Sequence, residues 1–413
     1  MATETPRPWR IGTFRALRHP NYRLYFIGQC VSLVGSWMQA TALAWLVHEW
    51  TGTSSWPALM AAATIAPMTL FSVWGGSLAD RLPRRPLIAA AQSALLLLSA
   101  ALAAQALFGL RDLGLMLGLS FLIGVAIAFD TPARLAFIGD ISGKEDLANA
   151  VALNAMAFNA ARLVGPAVAG LLLADLGAGF VLALNAASFL VFLAGLALMD
   201  LPAPPEPKEK KEAGPGALAH LGAWPGLVVL LVLAGGMSFM GWPLVSLLPA
   251  FATGIGAEER GFGLLMSAIG AGALLGTLVV ATAAGRARLW LLGSGVTLAS
   301  LGLGLLSSAK GLGPSLACCA LAGLGMILFF STGQTALQLG SDEGNRGGIM
   351  GVWLTVLAAA HPLGHLTAGT LADRYGVRMV LAWQAAGVAC LAALAGLAAW
   401  RWAGRVDADR PAG

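Results

Sequence analysis

The sequence predicts an all-α polytopic membrane protein: twelve transmembrane helices in two pseudo-symmetric six-helix bundles. Three observations predict it. The composition is too apolar for a water-facing surface, twelve separate apolar runs have spanning length, and distant segments repeat one another. Apolar residues make up 58% of the 413, charged residues 11%, and mean hydropathy is +0.77, whereas soluble domains carry about 25% charged residues. So few charges cannot clothe a soluble protein, which excludes a soluble enzyme, a disordered chain and a nucleic-acid binder. The net charge of +5 reflects where the basic residues stand.

A spanning helix takes about 20 apolar residues. Such runs lie at 22–48, 56–79, 86–110, 113–133, 148–173, 178–199, 226–250, 261–284, 288–309, 313–337, 349–373 and 377–402. They are continuous and rich in Leu, Ala and Gly, far longer than an alternating barrel strand. Residues 1–21 are polar and basic and read as a cytoplasmic leader, since the following apolar run is too long for a signal-peptide core. The runs in 22–200 form one bundle and those in 218–402 the other. Between them 201–217 contains PAPPEPKEKKEAGPG, where four prolines in seven residues forbid helix and the charges are solvated. It reads as a cytoplasmic tether, and 403–413 as a cytoplasmic tail.

Basic residues set the orientation. With both ends in the cytoplasm, nineteen of the 25 Lys and Arg fall on the inner side, five on the outer, and Arg162 within a span. The protein is therefore expected in the cytoplasmic membrane, multi-pass, surrounded by lipid bilayer.

Repeats organise the chain further. Gly76-Ser77-Leu78-Ala79-Asp80-Arg81 closes the second run and Gly369-Thr370-Leu371-Ala372-Asp373-Arg374 the eleventh; Leu173-Ala174-Asp175 closes the fifth. Halves that repeat in parallel, built from three-helix units that repeat upside down, are the pattern of one class of secondary transporter. At these residues the chain resembles the major facilitator superfamily over essentially its whole length. Residues 76–85 are similar to that superfamily's signature loop, with Pro83 where Gly is usual. Phe14–Leu17 with Asn21–Leu24, Gly35–Gln39, Phe129–Arg134 and Ala161–Pro166 resemble the branch of enterobactin exporters and macrolide efflux pumps. The second-half counterpart, Gly285–Arg288, is degenerate and lacks the acid.

Several residues carry candidate functions. Asp80 ends a helix, where the macrodipole disfavours an anion, so it needs a cation such as Arg81, Arg84 or Arg85, or the N-terminus of another helix. The resemblance implies the start of the eleventh helix near Gly348, making Gly76, Asp80 and these arginines a conformational latch. Arg162 is a cation deep in a span and marks function or a structural bridge. Its expected partners are Asn154, Asn159, carbonyls loosened by Pro166, or an anionic group of the cargo. Polar stripes at helical spacing run along helix one (Gln29, Ser32, Ser36, Gln39) and helix ten (Ser331, Gln334, Thr335, Gln338). The resemblance puts both helices on the central path, the favoured reading, with interhelical hydrogen bonding as the alternative. Trp37 and Trp242 are candidate flat walls for an aromatic cargo, although Trp is also common at membrane interfaces.

His361 and His365, four apart on one face of helix eleven, suit a proton relay or, equally, neutral imidazoles hydrogen-bonded to a neighbour. Asp130 and Glu49 are further proton-coupling candidates. Gly165-Pro166 softens helix five and is similar to the exporters' motif there. The four cysteines lie in apolar runs without the spacing of a zinc site, and no phosphate-cradling P-loop supports ATP use; no metal or cofactor is expected. No residue pattern specifies an oligomeric state. A membrane enzyme would need a cluster of His, Asp or Cys that the loops lack. The composite expectation is a secondary active transporter moving a small molecule by alternating access, an exporter driven by protons. An importer, a lysophospholipid flippase, or a receptor or structural subunit without flux are the alternatives.

Overall fold

A computed structural model describes residues 12–200, 225–283, 287–341 and 346–408. The 201–217 tether, the first eleven residues of the leader, and Gly285 and Arg286 of the Gly285–Arg288 loop lie outside the described residues. Regular structure among the described residues is helical throughout. That is the hydrocarbon's demand, because a spanning backbone must satisfy its own N–H and C=O groups.

A short 3-10 helix, Gly12–Arg18, leads into α1 (Pro20–Thr51), α2 (Ser55–Arg81), α3 (Arg84–Leu107), α4 (Leu113–Ser142) and α5 (Leu147–Ala197). Then follow α6 (Pro225–Gly241), α7 (Leu244–Gly254), α8 (Glu258–Thr282), α9 (Ala287–Ser308), α10 (Leu312–Gly340), α11 (Arg346–Tyr375) and α12 (Val377–Ala408). At 51 residues α5 would reach about 75 Å if straight, over twice a bilayer core. Its helix breaks at Gly177, whose φ of 77° suits glycine, so α5 supplies crossings five and six. α6 and α7 together make crossing seven. Twelve crossings result among the described residues, the number the sequence predicts.

Two differences from the sequence expectation have plain causes. The seventh run is not one helix: it breaks at Trp242-Pro243, because Pro243 has no N–H to give the preceding turn. α4 runs on to Ser142, so Arg134, expected in an inner loop, lies inside a helix. The apolar count locates hydrocarbon rather than helix ends, and α4 continues past it with polar residues.

Compact packing divides the chain into two units, Met1–Leu46 with Ala63–Glu209, and Val47–Ala62 with Lys210–Gly413. In the first, α3 packs on α4 and α5, around an aromatic core of Tyr22, Tyr25, Phe137 and Phe192. In the second, α10 packs on α8 and α9, and Met237, Phe329, Trp353 and Val388 lie in its core. The end of α1 and the first turns of α2 belong to this second unit.

Candidate functional site

In the first unit α1, α3 and α4 meet around one carboxylate. Asp130 is wholly buried. Gln92 donates from Nε2 to its Oδ1 at 3.0 Å, and Arg134 Nε lies 2.6 Å from Oδ2. Arg134 also donates to Gln29 Oε1 on α1 at 2.6 Å. Spacing of four brings Asp130 and Arg134 to one helix face. Pro132, between them, cannot bond the Ala128 carbonyl. Gly75 of α2 lies against that oxygen, 2.3 Å from where a Cβ would stand. The arrangement joins three helices through one buried anion and one arginine.

A second cluster joins α1 to α5. Arg162 is 5% exposed, and its guanidinium carbon stands 5.6 Å from the centroid of the Trp37 ring, within cation–π range. Phe158 meets Trp37 edge-on at 5.8 Å. Gly165 makes the approach possible, since a Cβ there would fall 2.6 Å from that of Trp37. Asn159 donates to its own helix at Ala155.

The helix-one stripe divides by partner. Gln29 holds Arg134, Gln39 accepts from Asn185 at 2.8 Å, and Ser36 donates to the Ser32 carbonyl. Ser32 is buried and Ser36 exposed. Glu49 is exposed at the end of α1.

In the signature loop Asp80 and Arg81 are exposed and Gly76 has open space around it. Arg84 donates to both Asp140 oxygens at 2.6 and 2.7 Å, and Arg85 to the Ala197 carbonyl at 3.0 Å. These two arginines thus tie the start of α3 to the ends of α4 and α5.

In the second unit the break in crossing seven presents Trp242. Its ring stacks on Phe330 at 6.0 Å and on His361 at 5.3 Å, and His361 stacks on His365 at 5.0 Å. His365 is buried, with Nδ1 2.8 Å from Ser246 Oγ. On α10, Gln334 and Gln338 are exposed and Ser331 half-buried.

Three polar arrangements escaped the sequence reading. Arg134 was counted as a loop residue, although its spacing from Asp130 signals a pair. Asp146 binds Arg15, Arg18 (2.8 Å) and His19 (2.9 Å), clamping the 3-10 helix to the start of α5. Burial raises the Asp146 pKa, but the His19 and Arg15 hydrogen bonds and the charges of Arg15 and Arg18 outweigh it and hold the carboxyl below its usual range. Asp373 was read only as part of a repeat; its carboxylate caps α2.

Twelve crossings among the described residues, with charged groups buried between helices, are the architecture expected of a membrane transporter of the major facilitator type. The chain belongs to the transmembrane secretion effector family of that superfamily, whose profile matches residues 11–407. It is 28% identical over 374 residues to the enterobactin exporter EntS of Shigella flexneri, covering 88% of each chain. Identity to EntS of Escherichia coli O1:K1 / APEC is 29% over 376 residues, again covering 88% of each. Among solved structures it resembles an inward-facing bacterial homolog of the human lysosomal transporter Spinster (TM-score 0.75, 15% identity, 92% and 97% of the two chains). The nucleoside transporter NupG is similar in fold (TM-score 0.73, 13% identity, 92% and 98%). The chain is a major facilitator transporter resembling the enterobactin exporter branch.

Proposed function

We propose that this protein exports a small molecule across the cytoplasmic membrane by alternating access, driven by proton entry, with both termini in the cytoplasm. Similarity to enterobactin exporters supports the direction. The observation that carries the mechanism is the buried chain Gln92–Asp130–Arg134–Gln29. A carboxylate inside a membrane span is costly unless it is paired or protonated, and it marks proton pathways. A proton on Asp130 removes the counter-charge of Arg134, and Arg134 is bonded to α1 through Gln29. Protonation in α4 is thereby felt in the helix that carries Trp37.

Arg162 and Trp37 serve as the cargo contact in this reading, a cation and a flat ring suited to an anionic or strongly polar aromatic group. Ser32, Ser36, Asn159, Ser331, Gln334, Gln338 and Trp242 are further contacts on the path. Gly165-Pro166 keeps α5 close to α1. His361, His365 and Glu49 are secondary proton sites, and Gly76, Asp80 and Arg81 with Arg84 and Arg85 work the latch.

Untargeted metabolite profiling of medium against cells tests the proposal in deletion and complemented strains. A compound retained by the deletion strain and released on complementation is the expected cargo. Arg162→Lys should abolish release at unchanged membrane abundance, because lysine lacks the fork geometry. Cellular accumulation of a medium component on expression would instead identify an importer.

A further inference from the structure

The turn between α1 and α2 and the last turn of α11 belong to the same compact unit, and they meet through one carboxylate. Asp373 Oδ1 accepts the Ser54 backbone N–H at 2.5 Å, and Oδ2 accepts that of Ser55 at 3.1 Å. N–H groups at a helix start have no acceptor within the helix, and the dipole there favours an anion.

The turn is built to present these donors. Gly52, at φ 67°, closes α1 by donating to the His48 carbonyl at 2.7 Å. His48 Nδ1 then donates to the Thr53 carbonyl at 2.8 Å. One helical turn before Asp373, Gly369 lies so near α2 that a Cβ would stand 2.6 Å from the Ala58 Cβ and 2.9 Å from the Ser54 carbonyl oxygen. Gly369 and Asp373 occupy the same places in their hexamer as Gly76 and Asp80 in theirs.

We propose that Gly369 and Asp373 are positioning residues of an outer latch, which holds the start of α2 on the end of α11 while the outer side is shut and releases it on opening. The glycine gives α2 its seat and the carboxylate accepts from the two N–H groups at its start. The matching hexamer Gly76–Arg81 at the other end of α2 is the inner latch proposed above, so α2 carries one at each end. The proposal rests on the alternating-access reading, though not on the direction of transport.

The test is maleimide labelling of full-length protein in vesicles, in a background lacking the four native cysteines. Ser54→Cys reports the outer side and leaves the cap intact, because the bond uses the backbone N–H. Gly348→Cys reports the start of α11. Asp373→Asn keeps the shape but loses the charge, and Gly369→Val removes the seat by a different route. Each should speed labelling at position 54 about fivefold or more, the size of a lost cap and dipole contact. Each should also slow labelling at position 348, as the inner latch closes more often. Asp373→Glu should restore part of both effects.

Unchanged labelling at 54 in Asp373→Asn overturns the proposal. A rise at 54 with no change at 348 also overturns it, because a permanent staple would behave that way. Labelling needs no cargo, so uptake instead of release in the metabolite assay would refute export while these reporters still decide the latch.

Discussion

Replacing Asp130 by Asn asks whether the α4 ion pair is a proton switch or a fixed staple. Asp130 has no exposed surface, and Arg134 is 16% exposed at its side chain with Nε 2.6 Å from the carboxylate. Removing one partner of a buried pair costs about 3–5 kcal/mol, because the other charge stays buried uncompensated. Arg134 keeps its bond to Gln29, which places Asp130→Asn near about 3 kcal/mol, the lower end of that range. Arg134→Gln should cost as much or more, since the carboxylate then faces the interior with Gln92. The double variant restores electrical balance, and its cost should fall short of the sum by about 2 kcal/mol. Equilibrium unfolding in mixed micelles measures this cycle. Export from vesicles as a function of pH measures the switch: Asn cannot titrate, so Asp130→Asn should lose the pH dependence of export while still exchanging cargo. Single costs that add within about 0.5 kcal/mol, or a full pH dependence in Asp130→Asn, would refute the reasoning.

Two further predictions concern the scaffold. Gly272 lets α8 approach α10 so closely that a Cβ would stand 1.8 Å from the Ala320 carbonyl oxygen and 2.7 Å from the Leu324 nitrogen. Gly272→Val should cost at least about 3 kcal/mol by overpacking and collapse the yield of monodisperse protein. Gly293→Ala, where nothing lies within 4 Å, should be neutral or stabilising by up to about 1 kcal/mol; equal yields would show that the contact is not tight. At Asp146 the carboxyl is held below its unfolded value of about 3.9. Its contribution is therefore complete above that pH and lost as pH falls through the folded value. Hydrogen exchange at the Ala16 N–H, which donates to Asn149 beside the clamp, should stay protected from neutral pH to about 5 and open only below the carboxylate range. Asp146→Asn should expose it at every pH, and a transition centred near neutrality would assign the clamp to a histidine instead.

The spans were legible because hydrocarbon imposes a length and a composition on every helix that crosses it. Partners were not legible in the same way. Gln29, Ser36 and Gln39 share a helical stripe, yet one holds Arg134, one bonds its own helix and one holds Asn185. Periodicity names a face but not what faces it. The break at Trp242-Pro243 did have a local signal, and it was missed because the run around it is apolar enough to span unaided. Asp146 stands in a short polar loop that looks merely solvated, and only the fold brings Arg15, Arg18 and His19 to it.

The two hexamers show what a repeat adds to such readings. Gly76 and Gly369 hold the same position in near-identical segments, so sequence assigns them one role. In the structure Gly369 is seated where no side chain fits, while Gly76 has nothing within 4 Å of its missing Cβ. Asp373 is bonded to two N–H groups, and Asp80 is exposed. A glycine needed for local helix geometry would find equal surroundings in both copies. Unequal surroundings fit a glycine needed only when its segment is docked, with one copy seated and the other free in a single state. Gly76→Val, which removes a seat used only when the inner side is shut, should therefore slow labelling at position 54, whereas Gly369→Val speeds it; a rise in Gly76→Val would break the argument from symmetry.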